Sequence, residues 1–323
     1  MKKRMQSFLN TAVALCAAIA LFAAVAPARA AQIDTDARSV IPRDVQQLIV
    51  VDYRIMENSS AAMDLKARVL PPELKQLEDA LKASGLNENR DVEQLAFAAY
   101  RVGNNDNIKI VGVAQGQFQL SDIMANFQKK KTKPTLIRNN RLYPMGANGM
   151  LVTFLNPTTM LFGASDAIKP ALDCRDGLAP SFLTNQDMLA AMQKVDSEPL
   201  WSILDQQGTQ YMIHSLLGQA SQVTDYEQVR KRLLDSSYTM NFTNGVKFTL
   251  YVLTSDTITA ATMSSLLNAA AMYEKVSGTA VEKQAIDSTT IDSSAGTLSV
   301  KFVASDSQFS SLLQSPLFQS VVR

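Results

Sequence analysis

One histidine, His214, two cysteines, Cys16 and Cys174, and a scatter of serines and carboxylates are the chemical inventory of this 323-residue chain. A zinc site takes three or four nitrogen and sulfur ligands, so one imidazole and one remaining thiol fall short. Ser215 follows His214, but consecutive residues on a helix point apart and cannot form a nucleophile–base pair. His214 falls within the apolar run around Ile213 and Leu216 and reads as a structural residue. Asp34, Asp36, Asp187, Asp196 and Asp205 show no spacing that sets two carboxylates across one bond, as glycoside hydrolysis requires; solvation accounts for them equally well.

The loop motifs are missing too. There is no Asp-x-Asp-x-Asp loop for calcium, no glycine-rich phosphate cradle and no G-x-S-x-G elbow. Gly112 and Gly116 lie in a strand-like segment and mark close packing. Lys129-Lys130-Lys131 with Lys133 is the densest charge run. It reads as the solvated C-terminal end of a helix, where cations suit the dipole. Trp201 and Tyr211 are assigned to core packing, and Cys174 to a small buried position. No catalytic, cofactor-binding or metal-binding residue is expected, and no cofactor.

The first thirty residues have a purpose of their own. Lys2, Lys3 and Arg4 precede an uncharged apolar run from Thr11 to Val25, and Ala28-Arg29-Ala30 forms an A-x-A site. These are the three parts of a secretory signal peptide. The run is shorter than the ~20 residues a spanning helix needs. Cys16 follows Leu15 deep in that run, so it reads as apolar filler, discarded on cleavage. The expectation is a periplasmic or secreted protein with no transmembrane span after signal cleavage.

Removal of residues 1–30 takes four basic residues and no acid, leaving 27 basic against 30 acidic and a net charge of −3. That balance excludes a nucleic-acid partner, which demands a basic surface. A single cysteine leaves no internal disulfide, so the core alone must hold the fold. Hydrophobic content of 46% is that of a globular chain.

The elements repeat. Gln32 to Val40 is polar and without period, a short leader. Leu48 to Val51 reads as a strand, Ser59 or Ser60 as a helix start, and Pro72 as the first turn of a helix carrying Leu74, Leu77, Ala80 and Leu81 to a stop at Gly85. Leu95 to Arg101 and Ile108 to Ala114 form a hairpin around residues 103–107. A strand over Leu136 to Tyr143, a turn at Gly146 and Gly149, and strands over Met150 to Leu155 and Met160 to Phe162 follow. Leu200 to Leu204, the alternating Tyr238, Met240 and Phe242, and Phe248, Leu250 and Val252 repeat the order. Asn244-Gly245 gives a type I′ turn. The helix after Gly208 carries an apolar stripe, and the one after Asp256 carries Met263, Leu266, Leu267, Ala270 and Tyr273. Ser-Asp pairs at 121–122, 165–166, 255–256 and 305–306 each stand where a helix opens and read as caps.

The expected fold is α+β: two related β-α-β-β-α-β halves, ferredoxin-like, with antiparallel sheets and helices on one face. The expected division is 1–30 for the signal peptide, 31–196 for the first half and 197–323 for the second. Ile41-Pro42-Arg43-Asp44 before the first strand and Thr159-Met160-Leu161-Phe162-Gly163 running into a helix carry a resemblance. On these features the chain resembles uncharacterised exported bacterial proteins built from tandem α+β halves. The resemblance implies location and layout and carries over no functional residue. The function expected is a non-enzymatic binding or interaction module of the cell envelope, its partner an unknown envelope protein or polymer. The rivals are a hydrolase using Asp/Glu or Ser/Lys, which needs two carboxylates within about 10 Å in a concave pocket, and a small-molecule or lipid carrier, which needs an apolar cavity between sheet and helices.

Overall fold

The structure is a computed structural model that describes residues 31–102, 108–145, 149–217, 226–316 and 318. The expected signal peptide, the 103–107 loop and Gly146 lie outside the described residues. In chain order the elements are α1 (Thr35–Val40), β1 (Val45–Asp52), α2 (Tyr53–Glu57), α3 (Ser60–Val69), α4 (Pro72–Ala83), α5 (Glu88–Asp91), β2 (Val92–Arg101), β3 (Ile108–Gly116), α6 (Leu120–Lys129), β4 (Thr135–Ile137), β5 (Asn140–Met145), β6 (Met150–Asn156), β7 (Thr159–Ala164) and α7 (Ser165–Arg175). After a short 3-10 turn come α8 (Gln186–Met192), β8 (Leu200–Leu204), α9 (Gln206–Leu217), α10 (Tyr226–Arg230), β9 (Leu233–Asn241), β10 (Val246–Thr254), α11 (Thr257–Ser277), α12 (Ala280–Asp287), β11 (Thr289–Ser294), β12 (Thr297–Ala304) and α13 (Asp306–Leu312).

The fold is α+β. The described strands make one sheet in the order β11-β12-β10-β9-β8-β1-β2-β3-β7-β6-β5-β4, with every pairing antiparallel. β1 and β8 pair at the middle, Gln47 opposite Leu204 and Val51 opposite Leu200. Outward from that seam the orders match: β1-β2-β3-β7-β6 on one side and β8-β9-β10-β12-β11 on the other. The four-strand β-α-β-β-α-β outline gains one strand on the β8–β12 side, where the β11–β12 hairpin stands for one strand, and three on the β1–β7 side, where the β6–β7 hairpin is extended by β5 and β4. β1 pairs directly with β2 and β8 with β9, antiparallel, so the interleaved order of a ferredoxin-like unit does not appear among the described strands.

Helices on one face hold only for β9–β12, since β8 is buried on both faces, with Trp201 and Ile203 packed against α8. There Leu233, Leu250, Val252 and Leu298 are buried with Ile213 of α9 and Met263 of α11. The opposite face alternates in Lys247, Thr249, Tyr251 and Lys301 and is open to solvent. On the β1–β7 side both faces are covered. Leu48, Val50, Ala96, Ala98, Val111, Val113 and Leu161 pack with α1, α7 and α8. Val92, Ala114, Met160 and Phe162 pack with α4 and α6 through Leu77, Leu81, Ile123 and Phe127. The reason is legible in the strands. Leu48-Ile49-Val50-Val51 and Met160-Leu161-Phe162 are continuous apolar runs, which suit a sheet buried on both faces, whereas alternation suits one buried face.

Several local expectations are corrected. Residues 32–40 are not a leader. Asp34 caps α1 through the Ala37 N–H at 2.8 Å, and Ala31, Ile33, Ala37 and Val40 enter the core. Six residues are too few for a helical period to show in the sequence. Two Ser-Asp pairs do cap: Asp256 accepts from the Thr259 N–H at 2.8 Å, and Ser305 forms a reciprocal capping box with Gln308. The other two do not. α6 starts at Leu120 with Gln119 as its cap, and α7 follows Ala164 directly, so both serines fall inside the first turn. Leu136 to Tyr143 is a hairpin, turned at Arg138 and Asn139 with φ of 48° and 60°. Tyr273 stands 70% exposed on α11, outside the apolar stripe expected to carry it. The Asn244-Gly245 turn has both φ values positive, 59° and 94°.

Candidate binding pocket

α2 through α5 bridge β1 and β2 and lie on the face that carries Leu95 and Phe97. α3 and α4 diverge at Pro71-Pro72, where Pro72 takes the first helical position and the residue before a proline is kept extended. α4 then lays Leu74, Leu77 and Leu81 towards the sheet at helical spacing. Between it and the floor of Leu95, Phe97, Met160 and Phe162 lies a carbon-lined cavity of about 80 Å³. Phe162 reaches across the floor because Gly112 has no side chain. A Cβ there would stand 2.1 Å from the Phe162 ring, and Phe97 packs edge-on against that ring at 5.9 Å.

The rim is polar. Lys66 of α3 points its Nζ at Glu78 of α4 (3.2 Å), Glu88 of α5 (3.3 Å) and the Tyr53 hydroxyl of α2 (3.2 Å). An ammonium has three donors, and each finds an oxygen on a different helix. The Tyr53 hydroxyl donates in turn to Asn89 Oδ1 at 3.1 Å, and the ammonium stands 5.0 Å from the Tyr53 ring centre. Burial, then the bond to Glu88, raises the Glu78 carboxyl above its ordinary value. Burial also pushes Glu88 up, but the hydrogen bond from Glu78 and the Lys66 charge outweigh it and hold Glu88 low. Burial beside Glu88 raises the Tyr53 phenol. The two carboxyls are thus driven apart, Glu78 holding its proton more tightly than Glu88, with Lys66 favouring the ionised form of both.

The residues weighed from sequence lie elsewhere. His214 is exposed on α9, and the Ser215 side chain lies outside the described residues. Cys174 is buried, its thiol directed at the Pro180 carbonyl at 3.3 Å and pushed up to about 11 by burial, then by Asp173. Asp34 and Asp36 belong to α1, with Asp36 accepting from Asn156 at 2.7 Å. Asp187 is exposed. Asp205 meets Arg101 at 3.5 Å and is raised by burial, as is Asp196. Trp201 is fully buried, and Tyr211 is exposed. Among the described residues no cluster of three or more His, Cys, Asp or Glu is placed to hold a metal, and no helix is long and apolar enough to cross a membrane. Lys66, Glu78 and Glu88 escape a sequence reading because they come from separate helices, 12 and 22 residues apart. The one available signal is the apolar spacing of α4 with Glu78 set directly beside Leu77.

No family model matches the chain, and neither does any curated protein. Among solved structures, crystal form I of TP0453 aligns with 88% of this chain and 97% of its own, at 10% identity and a TM-score of 0.49. Crystal form III of TP0453 aligns over 88% and 98%, at 11% identity and a TM-score of 0.45.

Proposed function

We propose that this is an exported binding module of the cell envelope, matured by loss of its signal peptide, whose pocket under α4 receives a slender apolar group from a small molecule or partner. The observation that carries the reading is the cavity itself: carbon-lined walls, a volume of about 80 Å³, and a charged collar on one side only. Concave, mostly apolar pockets are the usual seats of small ligands, and a few convergent polar groups at the mouth orient what enters. The test is native mass spectrometry of the chain purified from its source, alongside titration with an apolar fluorescent probe. Leu77→Phe, which fills the cavity, is expected to abolish probe binding while the circular dichroism is retained; undiminished binding overturns the reading.

A hydrolase is the second reading, and one observation favours it: Glu78 and Glu88 are two carboxyls at a concave mouth with their affinities for a proton driven apart. Against it, both bond the same ammonium and each other, which leaves no gap for a scissile bond between them. Turnover of an envelope polymer that Glu88→Gln abolishes decides for the hydrolase.

A further inference from the structure

We propose that the cavity between α9 and the β1–β8 seam is a second binding site and that its ligand is an uncharged sugar residue. The cavity measures about 340 Å³, within the ~300–1,000 Å³ of ordinary ligand pockets. It shares no lining residue with the one under α4. Gln46 and Gln47 of β1, Tyr238 of β9 and Tyr211 of α9 line it, with Ala99 and Met212 among its apolar walls. Among the described residues no lining side chain is an acid, a lysine, an arginine or a histidine, so nothing there selects a charged ligand.

The observation that points to a ligand is the Gln46 amide. Gln46 is 3% exposed, and neither its Oε1 nor its Nε2 meets a hydrogen-bonding partner. Buried polar groups are paired as a rule, and this amide has an acceptor oxygen and two donors to satisfy.

Its setting is built. Two steps of β1, from Val45 to Gln47, face one step of β2, from Tyr100 to Ala99, so Gln46 is the extra residue of a bulge. Bulges re-aim side chains and recur beside sites. The Gln46 carbonyl accepts from the Asp205 N–H at 3.0 Å, and a Cβ on Gly208 would stand 2.5 Å from that oxygen. Glycine therefore lets α9 close on the bulge. Beside it, Gln47 Nε2 reaches Ser202 Oγ at 3.3 Å and the Tyr238 hydroxyl at 3.4 Å. The Gln46 amide is shut off from solvent, so a turn of its side chain accompanies binding and gives it the partners it lacks.

The mixture of groups selects the ligand. A sugar ring offers hydroxyls that both donate and accept, which amides and a phenol match. Its C–H face suits an aromatic ring, and Tyr211 stands 54% exposed on α9. An extended peptide also carries amides, but it docks by adding a strand to a free edge, and β1, β2 and β8 are each paired on both sides.

Calorimetric titration of the purified chain with maltotetraose, cellotetraose and tetra-N-acetylchitotetraose tests the site, with N-acetyl-tetraalanine amide as the peptide control. At least one saccharide is expected to bind. Tyr211→Ala and Gln46→Met should each weaken that binding by about tenfold or more, and Leu77→Phe should leave it unchanged. Gln46→Met keeps the length of the side chain and removes an unmet amide, so it should melt no lower than the parent. A structural amide would show the opposite, a fall in melting temperature. Failure of all three saccharides to bind, or binding of the peptide in their place, overturns the proposal. So does a Gln46→Met chain that binds as the parent does or melts several degrees lower, and so does saccharide binding that Leu77→Phe abolishes.

Discussion

Lys66 faces two carboxyls whose affinities for a proton are driven apart, Glu78 upward and Glu88 downward. Lys66→Met leaves Glu78 and Glu88 against each other with no cation between them. With the three side chains 16%, 27% and 22% exposed, solvent screens part of the loss. We expect a cost of about 1–2 kcal/mol by urea denaturation and weaker closure of the pocket mouth. The pH profile should have two limbs. Glu88 is held below its ordinary 4.5, so its stabilisation is present above that value and lost as pH falls through the folded value. Glu78 is held above 4.5, so its stabilisation is present at low pH and lost as pH rises through its folded value. Stability measured by denaturation against pH should peak on the mildly acidic side, and Glu78→Gln should remove the upper limb alone. An unchanged profile in that variant excludes the shared proton. Gly112→Ala must displace the Phe162 ring; overpacking of this kind costs about 1–3 kcal/mol, and thermal melting checks it. Neither the acid pair nor the ring contact was legible in the sequence, because each joins residues that only the finished fold brings together.

At the scale of elements the sequence was far more readable. Asn244-Gly245, Pro72 and Gly85 act through backbone geometry that each residue type dictates locally, and they appear where expected. The Ser-Asp rule succeeded at Asp256 and Ser305, each the residue just before its helix, and failed at α6 and α7, where the helix has already begun by the serine. Capping depends on one residue of phase, which spacing alone does not settle. Ser305→Ala removes half of a reciprocal capping box and is expected to lower stability by about 1 kcal/mol. Ser165→Ala, at a pair that caps nothing, should melt within a degree of the parent. The reverse ranking in a thermal scan contradicts the assignment of caps.

For the molecule as a whole, one core crosses the seam. Met56, Ala61 and Ala62 of α2 and α3 pack with Leu200 of β8 and with Phe242, Val246, Phe309 and Leu313 from beyond it, and Ser310 donates to Asp64 at 2.8 Å. The two sides of the sheet should therefore unfold together. Trp201 fluorescence and far-ultraviolet circular dichroism are expected to trace one coincident urea transition. Leu313→Ala, fully buried at the end of α13, should shift both traces by about 2–5 kcal/mol. Separate midpoints would mean two independent units. The repeat was visible in the sequence as recurring strand–helix units, but the continuous sheet was not, since nothing in β1 or β8 alone names its neighbour.

That pairing also sets a clock. β1 is made early, yet the strand that covers its outer edge is made late: Ser202, which Gln47 contacts, follows it by 155 residues. At the ~5–20 residues per second of ribosomal synthesis, the edge of β1 waits about ten to thirty seconds for its partner. Through that interval the growing chain carries a greasy, unpaired strand, Leu48 to Val51, that any passing edge can capture. Newborn copies crowded on one message thus have a built-in reason to need an escort until β8 arrives.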